Sequence, residues 1–128
     1  MKIDHIALWA DDIENLKDFY VRYFNAVAGK KYYNPAKQFT SYFLTFPNGG
    51  CRLEIMNVPN LFNSDKSRVF TGFCHISISV GSKNMVNEFT EYLHKAGVAV
   101  KSNPRTTGDG YYESVVSDPE GNLIEITI

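Results

Sequence analysis

Asp4-His5-Ile6-Ala7-Leu8 returns 70 residues later as Cys74-His75-Ile76-Ser77-Ile78. The same spacing carries Phe19 onto Phe89, Ala26 onto Ala96 and Tyr42 onto Tyr112. Near the ends Leu53-Glu54-Ile55 lies over Ile124-Glu125-Ile126 with one residue of drift, which a turn absorbs. Each copy has a Pro/Gly turn just upstream of that run, Pro47-Asn48-Gly49 in the first and Pro119-Glu120-Gly121 in the second. A repeat of this length marks two structural modules that share one core. They span 1–58 and 73–128 of a single 1–128 domain, joined by a polar connection containing Pro59, Asn60, Asn63, Ser64, Asp65 and Ser67.

Within each module the periods are legible. Ile3 to Trp9 and Cys74 to Val80 alternate in polarity and are rich in β-branched residues, which predicts strands. Ile13, Leu16, Tyr20, Tyr23 and Phe24 then share one helical face, opened by Asp11 with Glu14 as a capping box. Met85, Val86, Phe89, Leu93 and Ala96 match them in the second module, capped by Ser82 and closed by Gly97. Three strands follow in each copy: around Lys31–Tyr33, Ser41–Phe46 and Arg52–Asn57, then around Val98–Lys101, Tyr112–Ser117 and Leu123–Ile128. The expected class is α+β, a βαβββ unit present twice.

Composition narrows the function. With 13 Lys+Arg against 14 Asp+Glu the formal charge is -1, so the basic surface that nucleic acid or anionic membrane would require is missing. No stretch approaches the ~20 apolar residues of a membrane span. Two cysteines, Cys51 and Cys74, make no disulfide framework, and no secretory signal opens the chain; both point to the cytoplasm and reduced thiols. Aromatic residues reach 14%, enough for either a ring-rich core or a ring-lined pocket.

Strand alternation decides which face each polar residue takes. Glu125 falls opposite Ile124, Ile126 and Ile128, and Glu54 opposite Leu53 and Ile55. His75 joins Ser77 and Ser79, away from Ile76, Ile78 and Val80; His5 joins Ile3, Ala7 and Trp9, away from Ile6 and Leu8. Two histidines and two glutamates thus occupy matching places on the faces turned from the helices. If the modules pair about a pseudo-two-fold axis, four ligands converge from four strands. Neutral imidazoles with carboxylates suit a divalent ion such as Ni, Co, Zn, Mn or Fe with room for water. Such an ion also relieves the repulsion of the two carboxylates. The third histidine, His94, falls on an exposed helix face. Tyr20, Tyr23, Phe24 and Phe89 read as core, whereas Trp9 and Met56 share faces with His5 and Glu54 and are candidates to line a cleft. Trp9 suits packing between modules or chains equally well. Tyr111, beside Gly108-Asp109-Gly110, is a further candidate, and Arg52 and Arg105 are the available cations.

With those residues placed, the chain resembles the vicinal oxygen chelate superfamily of glyoxalase I, fosfomycin-resistance proteins, extradiol dioxygenases and bleomycin-resistance proteins. The resemblance rests on Asp4-His5-Ile6-Ala7-Leu8, Phe19-Tyr20, Arg52-Leu53-Glu54-Ile55, His75-Ile76 and, most specifically, Ser117-Asp118-Pro119-Glu120-Gly121-Asn122-Leu123-Ile124-Glu125. It implies paired βαβββ modules forming an open, U-shaped mixed sheet around a metal-binding cleft. The ligand set His5, Glu54, His75 and Glu125 looks like that of bacterial glyoxalase I. Fosfomycin-resistance enzymes and dioxygenases resemble a His, His, Glu set, and bleomycin-binding members have no metal residues.

The likeness to glyoxalase I implies a lyase that isomerises the hemithioacetal of a 2-oxoaldehyde and a thiol to a 2-hydroxyacyl thioester, with one divalent ion (Ni, Co or Zn) per site. Glu125 would be the base and Glu54 its symmetric counterpart, while His5 and His75 hold the metal as neutral imidazoles. It also implies a homodimer, the modules pairing within or between chains. Trp9, Met56, Tyr111 and Arg105 are the expected substrate contacts. The chain departs from the pattern at one point: glutathione-using members carry an Arg at the place of Trp9 and an Asn at the place of Val58, with Asn57 here one position short. Another low-molecular-weight thiol therefore stays open. The competing readings are a fosfomycin-type thiol transferase and a sequestering protein of the bleomycin-resistance type.

Overall fold

The computed structural model describes residues 1–62, 65–66, 68–69 and 71–128, so Asn63, Ser64 and Ser67 of the expected connection lie outside the described residues. The chain divides into two compact units, Met1–Ser64 and Asp65–Ile128.

The first unit runs β1 (His5–Trp9), α1 (Ile13–Phe24), β2 (Val27–Ala28), β3 (Tyr32–Asn34), β4 (Phe39–Thr45) and β5 (Arg52–Asn57). Its five-stranded sheet has the order β1-β5-β4-β2, with β3 also on β4. The second runs β6 (His75–Ser79), α2 (Lys83–Lys95), β7 (Val100–Thr106), β8 (Tyr112–Ser117) and β9 (Leu123–Thr127), in the order β6-β9-β8-β7. In both units the first and last strands pair in parallel, β1 with β5 and β6 with β9, and all other pairs are antiparallel. This is the repeated βαβββ pattern, with two local departures. The strand expected around Lys31–Tyr33 is β3, and an additional short strand, β2, precedes it; both share β4 as partner, and between them the Gly29 amide donates to Phe43 O at 2.8 Å. The strand expected to end at Lys101 continues to Thr106 with two register shifts. Pro104 is tolerated there because β7 is an edge strand, where the missing N–H breaks no ladder.

Each helix seals one face of its sheet. Ile13, Leu16, Phe19, Tyr20 and Phe24 are buried on α1, so Phe19 takes the place expected of Tyr23, which is only half-buried. The N-cap is Asp12 rather than Asp11: its Oδ1 accepts the Asn15 amide at 3.0 Å. Glu14 therefore does not turn back to a cap. It binds Lys17 and Lys31, each at 2.8 Å, and accepts the Tyr42 hydroxyl at 2.9 Å. On α2 the cap is Ser82, accepting from Met85 N at 3.2 Å, and Gly97 follows the helix at a φ of +87° that glycine alone takes without strain. Val86, Thr90 and Leu93 form its buried stripe, while Met85 and Ala96 are exposed and Phe89 is half-buried. Fully buried side chains include Leu16, Tyr20, Leu44 and Ile55 in the first unit and Val86, Leu93, Val116, Ile124 and Ile126 in the second. An aliphatic member of either set contributes about 1.5–3 kcal/mol by leaving water. With one face of each sheet committed in this way, the opposite face is where polar side chains are free to do chemistry.

Candidate metal centre

In the first unit that free face carries His5 and Glu54. The β1–β5 register sets Ala7 beside Glu54 and His5 beside Arg52, which brings the imidazole diagonally to the carboxylate. His5 Nε2 lies 3.8 Å from Glu54 Oε2, with the imidazole 40% and the carboxylate 15% exposed. His5 Nδ1 is 3.0 Å from Asp4 Oδ2, and the same oxygen accepts from Arg52 Nη2. Those two contacts, His5 first, hold the Asp4 carboxyl below the usual aspartate range. Arg52 covers the Phe43 ring at 4.4 Å, and Phe43 stands edge-on to His5 at 5.3 Å, so the group is braced by packing as well as charge.

The second unit repeats the pair. His75 Nε2 lies 3.5 Å from Glu125 Oε2, with side-chain exposures of 41% and 16%. Ser77, opposite Glu125 across the β6–β9 ladder, donates its hydroxyl to Glu125 Oε1 at 2.6 Å. A second carboxylate adjoins this pair. Glu113 pairs with Thr127, next to the Val115–Glu125 rung, and shares a hydrogen bond with Glu125. Burial first, then the hydrogen bond and charge of Glu125, raise Glu113 above the usual carboxylate range, against the pull of Arg105 at 3.3 Å. The sequence reading missed Glu113, whose only signal is the antiparallel register that puts it on the face of Glu125.

Separations of 3.5 and 3.8 Å are too long for good hydrogen bonds. They are close to what two ligands of one ion leave between them, about 3.4 Å for donors about 2.1 Å from a tetrahedral centre. Imidazole nitrogen and carboxylate oxygen are the donors a borderline divalent ion takes. Among the described residues no group of three or more His, Cys, Asp or Glu side chains is arranged to hold an ion. Each unit presents two donors.

The other residues singled out by sequence fall as follows. Trp9 and Met56 face one another in the β1–β5 register; Trp9, 51% exposed, stands edge-on to Phe39 at 6.4 Å, and Tyr32 lies 6.1 Å from Phe39. The aromatic surplus of the composition is therefore split, one part in the α1 core and one part in an exposed ring cluster on the sheet of His5. Arg105 is fixed between Ser102 Oγ at 2.8 Å and Glu113. Tyr111 lies in the β7–β8 turn with its ring exposed. Asn57 is occupied structurally, its amide donating to Ala10 O at 2.7 Å and Asp11 O at 3.3 Å. His94 is exposed and lines a groove of about 860 Å³ between α2 and β7, which neither His75 nor Glu125 lines. Among the described residues no helix is long and apolar enough to cross a membrane.

Solved structures with this fold include several glyoxalase proteins. A glyoxalase family protein from Enterococcus faecalis superposes with a TM-score of 0.82 at 22% identity, covering 99% of this chain and 97% of that one. Glyoxalase I from Zea mays superposes at 0.81 with 21% identity, covering 98% of this chain but 44% of that one, so this chain spans less than half the maize protein. The trypanothione-dependent glyoxalase I of Leishmania major gives 0.78 at 20% identity, covering 99% and 86%. No curated protein matches the sequence. The profile of the Glyoxalase/Bleomycin resistance protein/Dioxygenase superfamily matches residues 2–126, and with that span and the duplicated βαβββ fold the chain belongs to this superfamily.

Proposed function

We propose that this protein is a metal-dependent lyase of the glyoxalase I type, converting the hemithioacetal of a 2-oxoaldehyde and a low-molecular-weight thiol into a 2-hydroxyacyl thioester. The observation that carries the proposal is the His–Glu pair formed twice, with nearly equal separation and exposure in both units. His5, Glu54, His75 and Glu125 would together hold one divalent ion (Ni, Co or Zn), the two pairs meeting within one chain or across a homodimer. When bound, such an ion supplies Lewis acidity toward the substrate oxygens.

The remaining work falls to side chains. Glu125 takes the proton from the carbinol carbon and returns it to the neighbouring carbonyl carbon, while the hydroxyl proton of the first carbon passes to the oxygen of the second. One carbon is oxidised and the other reduced, so no external oxidant is needed. Ser77 keeps Glu125 Oε1 engaged, which leaves Oε2 on the side of His75. The two histidines stay neutral as donors. Trp9 and Met56, with Arg105 and Tyr111, are the proposed substrate contacts. With Trp9 and Val58 at the places where glutathione-using members have Arg and Asn, a thiol other than glutathione is open; the trypanothione-dependent relative is one such case.

Elemental analysis of the purified protein, with turnover of methylglyoxal and several thiols, tests this. Stoichiometric divalent metal and thioester formation are expected, with Glu125→Gln lowering kcat by about 10²–10⁴-fold. Protein that neither contains nor takes up Ni or Zn refutes the proposal, and unchanged turnover in Glu125→Gln removes that residue as base. The cluster of exposed Trp9 and Tyr32 around half-buried Phe39 favours a second reading, a small-molecule-sequestering protein. That protein would bind an aromatic ligand without metal or turnover.

A further inference from the structure

The two His–Glu pairs match in separation and exposure, yet their surroundings differ, and two of the differences lie directly beside the paired side chains. The residue before the histidine is Asp4 in the first unit and Cys74 in the second. The residue directly opposite the glutamate is Ala7 in the first and Ser77 in the second. In the first unit the supporting contact goes to the imidazole: Asp4 Oδ2 meets His5 Nδ1 at 3.0 Å and is itself clamped by Arg52. In the second it goes to the carboxylate: Ser77 Oγ donates to Glu125 Oε1 at 2.6 Å. Cys74 has no carboxylate to offer His75, and Ala7 no hydroxyl to offer Glu54.

From this crossed arrangement we infer that Asp4, held by Arg52, is a positioning residue that fixes His5 with its proton on Nδ1 and its lone pair on Nε2, so that the first unit contributes a preset nitrogen donor and the second a preset oxygen donor. A neutral imidazole in water divides between two tautomers, and only the Nδ1–H form presents Nε2 to a cation on the side of Glu54. A carboxylate on the other ring nitrogen selects that form and orients the ring. Arg52 holds Asp4 in place, and its stacking on Phe43 keeps the guanidinium against the sheet. The metal-binding consequence rests on the reading in the preceding subsection, whereas the tautomer does not.

The decisive measurement is therefore made on metal-free protein. Long-range ¹H–¹⁵N correlation spectra at about pH 8.5, where imidazole is neutral, report which nitrogen of each histidine carries the proton. His5 is expected as the Nδ1–H form in the wild type, mixed in Asp4→Ala, and largely restored in Asp4→Asn, whose side-chain oxygen still accepts. His75 is expected to be unmoved by either change, and Cys74→Asp to shift His75 toward Nδ1–H. Metal uptake in competition with a chromophoric chelator is the second readout, with Asp4→Ala weakening affinity about 10–100-fold and Cys74→Ala leaving it unchanged. A His5 tautomer that is the same in wild type and Asp4→Ala overturns the inference, as does Asp4→Ala metal affinity equal to wild type. Wild-type protein that binds no metal overturns the functional reading instead and leaves the tautomer spectra to decide this one.

Discussion

The Asp118 carboxylate takes both N–H groups of Asn122, the backbone amide on Oδ1 at 2.8 Å and the side-chain amide on Oδ2 at 2.9 Å. Oδ1 also accepts from Glu120 N at 3.0 Å, and Asp118 is 4% exposed. The main chain closes the same turn, Gly121 N donating to Asp118 O and Asp118 N to Asn122 O, both at 3.0 Å. Gly121 sits at a φ of +80°, which glycine takes without strain. The next residue is Leu123, the first of β9, so this turn sets the β8–β9 register, with Ser117 against Leu123 and Val115 against Glu125. The first unit closes its turn with Gly49 N on Phe46 O at 3.0 Å, with an apolar ring where the second has Asp118.

Replacing Asp118 with Ala leaves three inward donors without their acceptor. A buried, charged acceptor of this kind makes the change cost about 2–4 kcal/mol. Urea unfolding followed by circular dichroism is expected to show the loss, with Asp118→Asn retaining part of the stability through its remaining oxygen. Equal midpoints for wild type and Asp118→Ala would contradict the role given to this turn.

Acid sensitivity is expected from Glu14. Hydrogen bonds from Lys17 and then Lys31, aided by the Tyr42 hydroxyl, lower its carboxyl from 4.5 to about 2. A depressed carboxyl stabilises the fold above its unfolded value and loses that contribution as pH falls toward the folded one, so the window runs from 4.5 down to about 2. Glu14 is 46% exposed, and solvent screening reduces the contribution to about 1 kcal/mol. Stability measured against pH should fall less steeply in Glu14→Gln than in wild type across that window. Parallel curves would remove Glu14 from the account.

Thr90 Oγ1 and Ser114 Oγ lie 2.6 Å apart in the core between α2 and β8, with Thr90 Oγ1 also donating to Val86 O at 2.6 Å. Since the Thr90 proton is spent on Val86, Ser114 is the donor between the two hydroxyls. Thr90→Val strands the Ser114 hydroxyl in a dry site at about 1–3 kcal/mol, and adding Ser114→Ala removes the stranded group. The double variant is expected to be less destabilised than the sum of the singles, as a thermal-melt double-mutant cycle would read. Strict additivity would mean the two hydroxyls do not depend on one another.

How far these features were legible depends on what sets each one. His5, His75, Glu54 and Glu125 could be assigned to faces because strand alternation is a local pattern and the repeat is visible by laying one half of the sequence over the other. Which of Asp11 and Asp12 caps α1 was not, since two adjacent aspartates offer the same chemistry and the choice depends on where the chain turns. Thr90 was not among the residues expected on the inner face of α2, and only Ser114 across the α2–β8 contact explains its burial. Glu113 and Phe39 acquire their importance from antiparallel register, which turns and edge irregularities determine over long sequence separations. Asp4 stood next to His5 in plain sight, but its contact with Nδ1 depends on Arg52 arriving from β5.

The ring cluster offers a way to separate substrates under the proposed function. Trp9 shares the sheet face of His5, and with Phe39 at 6.4 Å and Tyr32 beyond it forms an exposed aromatic surface. Face or edge contact with a planar substituent is worth about 0.5–1.5 kcal/mol beyond area burial, a factor of roughly two to twelve in binding. Trp9→Ala is therefore expected to raise KM for phenylglyoxal by up to about tenfold while changing KM for methylglyoxal, which has no ring to place, much less. The comparison of kcat/KM for the two aldehydes, with one thiol throughout, isolates the ring contact from any general loss of fold. Equal losses for both substrates would assign Trp9 to packing between units or chains instead of to substrate.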